Sequence, residues 1–293
     1  MQKRLESGQA IVLVLLSLSV VLTIVLFSLS RSVGNIATTT QQSDSVRAFS
    51  AAEAGIENAL ITGAEAQGNI GGASYKVQVT NQAVTSYNYN PPLLSGETMT
   101  LWFVSHNADG GLVCSAEKPC YTGSSLNVYW GDFGTAANLA TTPAIEVTIY
   151  YAIDRPAALA GDFSSVQVAR ATYDPNTARR SSNYFGSTDS GGTVDGKNYA
   201  FGKTINWSDI SSSINSGRLL FAKVRMLYNP TAQPVGFRAT GSFPGQGLEI
   251  VSQGSVDSGT TTSNRSVYVF QSWADYPFSG FSLYYPNGGV ISN

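Results

Sequence analysis

A single histidine, His106, in a chain of 293 residues leaves almost nothing from which to build an imidazole-based general acid or base. The turn-forming run Asn107-Ala-Asp-Gly-Gly follows it, so an exposed imidazole bordering a turn is expected. Cysteine is nearly as scarce: Cys114 and Cys120 are the two present, and with one histidine they fall short of the four ligands of a structural zinc site. Charge is sparse as well, with Asp, Glu, Lys and Arg making up 12% of the chain and a net charge of −2. From Ala64 onward, thirteen Lys and Arg oppose fifteen Asp and Glu, which excludes the broad positive field of a non-specific nucleic-acid binder. Arg170, Arg179 and Arg180, close in sequence to Tyr173 and Tyr184, therefore read as ordinary surface pairs. Neither a Gly-x-x-x-x-Gly-Lys loop nor His-Glu-x-x-His occurs, and the serines follow loop composition. No catalytic residue, resident cofactor or nucleic-acid partner is assigned.

Apolar length near the start of the chain is what the sequence has in abundance. No charge occurs between Gln9 and Ser30, and the run includes Ile11-Val-Leu-Val-Leu-Leu-Ser-Leu-Ser-Val-Val-Leu-Thr-Ile-Val-Leu-Phe-Ser-Leu29. At roughly 1.5 Å per helical residue, about 20 residues cross a hydrocarbon core of about 30 Å, so the run can span a bilayer. Lys3 and Arg4 precede it and the next positive charge is Arg31, a weak bias that keeps the first residues cytoplasmic and sends the rest outward. An ordinary secretory signal has a shorter apolar core and an exit site of small residues, whereas Ser28-Leu-Ser30 here leads into Arg31. A cleaved signal of that kind and a plain single-pass anchor are the two competing readings.

A third reading accounts for more of the chain. A short charged leader ending at Gly8, the apolar helix, and then Arg47-Ala-Phe-Ser-Ala-Ala-Glu-Ala-Gly-Ile56 resemble the start of type IV minor pilins of the PilX kind and of the related tip pseudopilin of type II secretion. The resemblance covers about residues 7–60, and more weakly the carboxy-terminal strands. It implies a leader over residues 1–8, cleavage by a prepilin peptidase between Gly8 and Gln9, and a methylated new amino terminus at Gln9. It further implies an inner-membrane precursor that joins other pilin subunits through its helix and ends at the cell surface or in an extracellular filament. Two residues depart from the pattern: shaft-forming relatives carry Phe or Met after the cut and Glu four positions on, where this chain has Gln9 and Leu13. That Glu pairs with a neighbour's amino terminus, offsetting the cost of burying both charges. Leu13 has no carboxylate to offer, which points to a subunit at the tip or in the initiating complex.

The helix is expected over residues 9–63, with 9–30 in the membrane and 31–63 amphipathic. Val46, Phe49, Ile56 and Leu60 fall on one helical stripe with Glu53 between them, and this stripe is expected to pack on the chain's own sheet. Ala48, Ala51, Ala52, Ala54 and Gly55 make the complementary face, small enough for another helix to approach. Gly34, Asn35 and residues 38–40, three threonines, form the weakest helical stretch, a place for the helix to loosen on leaving the bilayer.

From Ala64 to the end the composition shifts to Gly, Ser, Thr, Asn and aromatics with two-residue alternation, which predicts a β-rich extracytoplasmic region over 64–293. Candidate strands are residues 75–79, 126–130, 145–151, 166–168, 219–228, 248–250 and 265–270. Chain order suggests a pilin-like sheet from residues 73–80 with 235–285, carrying an inserted sandwich over about 97–230. The whole reads as α+β, a long helix followed by an all-β, sandwich-like region. Cys114 and Cys120, with five residues between them, favour a disulfide in an exported chain, with reduced thiols as the alternative. The loop containing Asp189 and Asp195 has oxygen-rich composition but not EF-hand spacing, so calcium there is a weak candidate beside a plain Gly-rich hairpin. In one rival reading the chain is a membrane-anchored surface adhesin or carbohydrate-binding protein that enters no filament; in another it is a secreted β-sandwich hydrolase or lectin with Trp102, Trp130, Trp207 and Trp273 free to stack on sugars, for which scattered core tryptophans are the blander account. The external ligand is not legible.

Overall fold

The computed structural model describes residues 6–259 and 261–276. Four helices and sixteen strands follow one another among them. The helices are α1 (Glu6–Thr62), α2 (Arg155–Leu159), α3 (Thr177–Asn183) and α4 (Trp207–Ile210). The strands are β1 (Ala66–Ile70), β2 (Ala73–Thr80), β3 (Val84–Leu93), β4 (Thr98–Trp102), β5 (Ser105–His106), β6 (Leu112–Val113), β7 (Ser125–Asp132) and β8 (Ala144–Ala152). They continue as β9 (Val166–Tyr173), β10 (Asp189–Ser190), β11 (Thr193–Val194), β12 (Lys197–Asn206), β13 (Leu219–Leu227), β14 (Gln233–Phe243), β15 (Gly247–Asp257) and β16 (Thr262–Ser272). They form two compact units: the chain up to Val79 with Ile250–Val269, and Thr80–Glu249 with the chain from Phe270 onward.

The first unit is α1 and the sheet ordered β1-β2-β15-β16. The helix runs unbroken for 57 residues, about 85 Å at 1.5 Å per residue, straight through the stretch expected to be weakest. There the Thr38 and Thr39 hydroxyls donate to the carbonyls of Gly34 and Asn35 at 3.0 and 2.9 Å, so the threonines satisfy themselves inside the helix. Ser17, Ser19 and Thr23 do the same within the apolar run, so these three hydroxyls carry their partners with them into an apolar surrounding. Gly63, at φ +64, closes the helix by donating its N–H to the Ala59 carbonyl at 2.7 Å.

Docking of the helix on the sheet reverses the expected faces everywhere but at Ile56. Asp44, Ala48, Ala51, Ala52, Gly55, Ile56 and Ala59 are buried, while Val46 at 65% exposure, Phe49 and Leu60 face outward, as does Glu53. The reason is distance. A Cβ on Gly254 of β15 would run into the Ala48 carbonyl and the Ala52 nitrogen, so helix backbone lies directly on strand backbone. At that crossing only side chains the size of alanine fit; Asp44 and Ile56 are buried elsewhere on the same face, and Val46, Phe49 and Leu60 are displaced to the other side. Arg47 fastens the edge, with Nε and Nη2 donating to the Gly71 carbonyl in the β1–β2 turn at 3.2 and 2.8 Å.

The second unit is an antiparallel sandwich. One sheet is ordered β10-β12-β7-β14-β3, with β11 joined to β12, and the other β4-β13-β8-β9. Trp130, Leu126 and Val128 of β7 and Val235 and Phe237 of β14 share one core with Leu101, Ile145, Val147, Ile149 and Val224 of the other sheet. The outer face of β8 and β13 is covered too, by a second cluster holding Trp102, Val104, Tyr150, Leu220 and Phe221. Ile145-Glu-Val-Thr-Ile149 alternates, and burial on both faces accounts for the unbroken apolar end of β8, Ile149-Tyr-Tyr-Ala152. Residues 235–243 pair with β7 and β3, so they belong to this sandwich and not to the helix-bearing sheet assigned to them from chain order. Residues 277–285 of that expected sheet lie outside the described residues. β3 carries Pro91 and Pro92 at the sheet edge, where a missing N–H costs no ladder bond.

Candidate functional site

Two surfaces stand out, one in each unit. The first is the apolar length of α1. From Ala10 the helix is long and apolar enough to cross a membrane, its best 18-residue window having a mean hydropathy of 3.1 with nothing buried. Ile11, Leu13, Leu15, Leu22 and Phe27 are all more than half exposed, and the exposed residues run round the whole circumference. That is the pattern of a helix whose surroundings are apolar on every side. Gly8 and Gln9 lie in its first turns, and residues 1–5 of the expected leader lie outside the described residues. Further along, Val46, Phe49, Leu60 and Ile61 continue an exposed apolar margin beside the docked alanines.

The second surface is the set of loops joining the strands of the sandwich around α3. Its anchor is a buried ion pair that the sequence reading took for surface charge. Asp174 is fully buried and receives Arg179 Nε at 2.7 Å and Nη2 at 2.8 Å, together with the Asn176 N–H and Asn183 Nδ2. Burial pushes the Asp174 carboxyl up, but these donors outweigh it and hold the group below its ordinary range. The other faces of the Arg179 guanidinium donate to the Ala140 and Thr142 carbonyls at 2.9 and 2.7 Å, and its plane covers the Tyr228 ring at 3.9 Å. The β7–β8 loop is thereby tied to α3, with the Asn176 amide donating to the Leu139 carbonyl as a second tie. Large apolar residues are displayed on this tied framework: Tyr184 at 89% exposure, Phe133 at 76% and Leu139 at 55%. Tyr184 holds its position in the left-handed region at φ +58, where a residue with a Cβ is strained.

Beside Phe133 runs an open groove of about 450 Å³, lined also by Gly134, Thr135, Gly191, Gly192, Thr193, Asn198, Tyr199 and Ala200. Burial first, with Asp195 and Asp132 adding to it, pushes the Tyr199 phenol up to about 12, and its hydroxyl donates to Asn88 at 2.6 Å. Asp189 and Asp195, the two carboxylates of the oxygen-rich loop, each accept from a different partner. Asp189 accepts from Lys203 Nζ at 3.1 Å and from the Thr204 N–H, while Asp195 accepts from the Ser86 hydroxyl. Among the described residues no three His, Cys, Asp or Glu side chains gather.

His106 contradicts its expected exposure. It is 2% exposed, its ring stacked on Trp273 at 4.6 Å and edge-on to Trp102 at 4.4 Å, and neither ring nitrogen has a partner among the described residues. Burial drives its imidazole down to about 4, so it is neutral at ordinary pH. The Cys114–Cys120 disulfide is formed, with Cα atoms 5.3 Å apart, and its loop folds over the β5–β6 hairpin, where Lys118 Nζ donates to the His106 carbonyl at 3.2 Å. Trp102, Trp130 and Trp207 are buried at 2% exposure or less and Trp273 is partly buried, so the first three are closed to any sugar. Phe133 and Leu139 were missed because nothing in their local sequence marks them as displayed. Comparison of the chain with protein-family models, curated proteins and solved structures gave no match.

Proposed function

We propose that the chain is a minor subunit of a type IV pilus-like filament, held at the tip or in the initiating complex, that displays its β-rich region outside the cell for adhesion or assembly. In this reading it is made as an inner-membrane precursor, cut between Gly8 and Gln9 by a prepilin peptidase, and assembled with sister subunits through α1. It performs no catalysis. The observation that carries the reading is a single continuous helix with two different halves. The first bares branched aliphatic residues on all sides, and the second is seated on a sheet by alanines. Such a rod can sit in lipid and then exchange lipid for other helices without altering its own fold. Leu13 in place of a carboxylate supports a position that needs no partner ahead of it. It equally supports an anchored adhesin that stays in the membrane, the second reading.

Mass spectrometry of the mature chain separates the two. A start at methylated Gln9, together with loss of surface display in Gly8→Ala, is the expected result. Retention of Met1 would replace the filament subunit by a plain anchor, and a start beyond Arg31 would replace both by ordinary secretion. For position, gold particles on a tagged chain are expected at filament ends, and labelling along the shaft would overturn the tip assignment.

A further inference from the structure

We propose that the groove beside Phe133 binds a neutral carbohydrate. This deepens the reading of the outer unit as a displayed adhesive domain, and filament entry plays no part in its test. All nine residues that line the groove are uncharged, in a unit whose surface carries both signs elsewhere. The nearest charges stand behind that lining and carry both signs, with Lys197 Nζ 5.8 Å from the Tyr199 ring centre, Arg238 donating to the Thr193 carbonyl, and Asp132 and Asp195 near Tyr199. A phosphate, sulfate, uronate or ammonium group would therefore lose water without a lining group of opposite charge to replace it. What the lining offers instead is a short set of neutral hydrogen-bonding groups beside an aromatic ring, the combination that fits a pyranose: hydroxyls around the rim and an apolar face of C–H bonds.

Each element of that combination is held in place. The Thr193 hydroxyl donates to Asn198 Oδ1 at 2.6 Å, which fixes the amide and leaves its Nδ2 hydrogens for a ligand oxygen. The Thr135 hydroxyl donates to the Asp132 carbonyl at 2.7 Å and keeps its lone pairs as acceptors. Gly191 lies so close to the β12 backbone that a Cβ would collide with the Tyr199 carbonyl and Ala200, so any side chain there would push the strand out and reshape the wall. Phe133, at 76% exposure, lies on a turn between β7 and a loop that Arg179 ties down, so little ordering entropy is lost when a sugar ring lies against it. The volume of about 450 Å³ falls within the range of small-molecule clefts. The buried tryptophans, which first suggested a sugar from sequence, take no part.

The full chain, reconstituted in lipid nanodiscs so that no sugar-headed detergent competes, is applied to an array of immobilised neutral, sialylated and sulfated oligosaccharides and of extended peptides. Retention by one or more neutral glycans is expected, weakened at least tenfold in Phe133→Ala and Asn198→Asp. Tyr184→Ala, which removes a more exposed aromatic outside the groove, should bind as the unaltered chain does. Thermal melting of each variant is followed in parallel, and Asn198→Asp keeps the side-chain volume, so a Phe133→Ala variant that fails to fold leaves the test standing. No retention by any neutral glycan, retention only by charged glycans or by peptides, or undiminished binding by both groove variants would each overturn the proposal.

Discussion

The seam between helix and sheet in the first unit and the loop framework in the second are assembled on opposite principles. In the first, burial belongs to the smallest side chains, Ala48, Ala51, Ala52 and Ala59, and the larger Val46, Phe49 and Leu60 are left outside. In the second, burial belongs to Trp102, Trp130, Phe103 and Phe237, and the loops are held by a buried charge pair, Asp174 with Arg179. The difference teaches that apolar size does not rank residues for the interior. Where the two backbones touch, at Ala48 and Ala52, the interior excludes anything larger than a methyl, and in the sandwich it takes rings together with branched aliphatics.

The largest effect that would test the contrast is removal of the charge anchor. Arg179→Ala leaves the Asp174 carboxylate buried without its partner and should cost the second unit about 3–5 kcal/mol. Chemical denaturation followed by near-ultraviolet circular dichroism reads this, and loss below about 1 kcal/mol would mean that the loops do not depend on the pair. Next comes acid. The folded chain protonates His106 only near pH 4, whereas an unfolded chain does so near 6.5. The stability this group supplies is therefore complete above pH 6.5 and drains as pH falls toward 4, by about 3 kcal/mol over that window. Asp174, held below its ordinary range, adds its own loss further into acid. His106→Phe, which keeps a ring between Trp102 and Trp273, should flatten the slope between pH 6.5 and 4; an unchanged slope would assign it to other groups. The smallest effects sharpen the contrast within α1. Ala52→Leu forces a side chain into the seam and should cost about 1–3 kcal/mol. Phe49→Ser, on the outward margin, should stay within about 0.5 kcal/mol by melting while lowering the amount of chain recovered in filaments. Equal destabilisation by the two changes would show that the margin packs on the sheet after all.

Much of this architecture is legible in the residues, and the failures have physical causes. The apolar run, the long helix and strands such as β2, β7, β8 and β13 carry their own periodicity, because each is decided by local pattern. Strands β3, β12 and β14 carry Pro, Gly or Lys at positions that break alternation, and their neighbours in the sheets supply what the local pattern lacks. Apart from Ile56, the helix faces are read in reverse because helical spacing identifies a stripe without revealing how near the sheet will come, and that distance is set by Gly254, far later in the chain. His106 is buried by Trp273, another late residue, so its turn-forming sequence context gives no hint. The groove lies where β7, β10, β11 and β12 meet, and only Phe133 and the glycines hint at it one residue at a time.

The alanine seam has one more consequence, for sliding. Asp44, Ala48, Ala52 and Ile56 follow one another at four-residue intervals along the docked face. Shifting the helix one turn in one sense would drive the Ile56 side chain into the seat shaped for Ala52, and one turn in the other would put the Asp44 carboxylate where Ala48 meets bare strand. Both neighbouring registers are closed, so the rod is indexed to its sheet like a notched shaft. A tug on the membrane end must be passed on to β15 as shear.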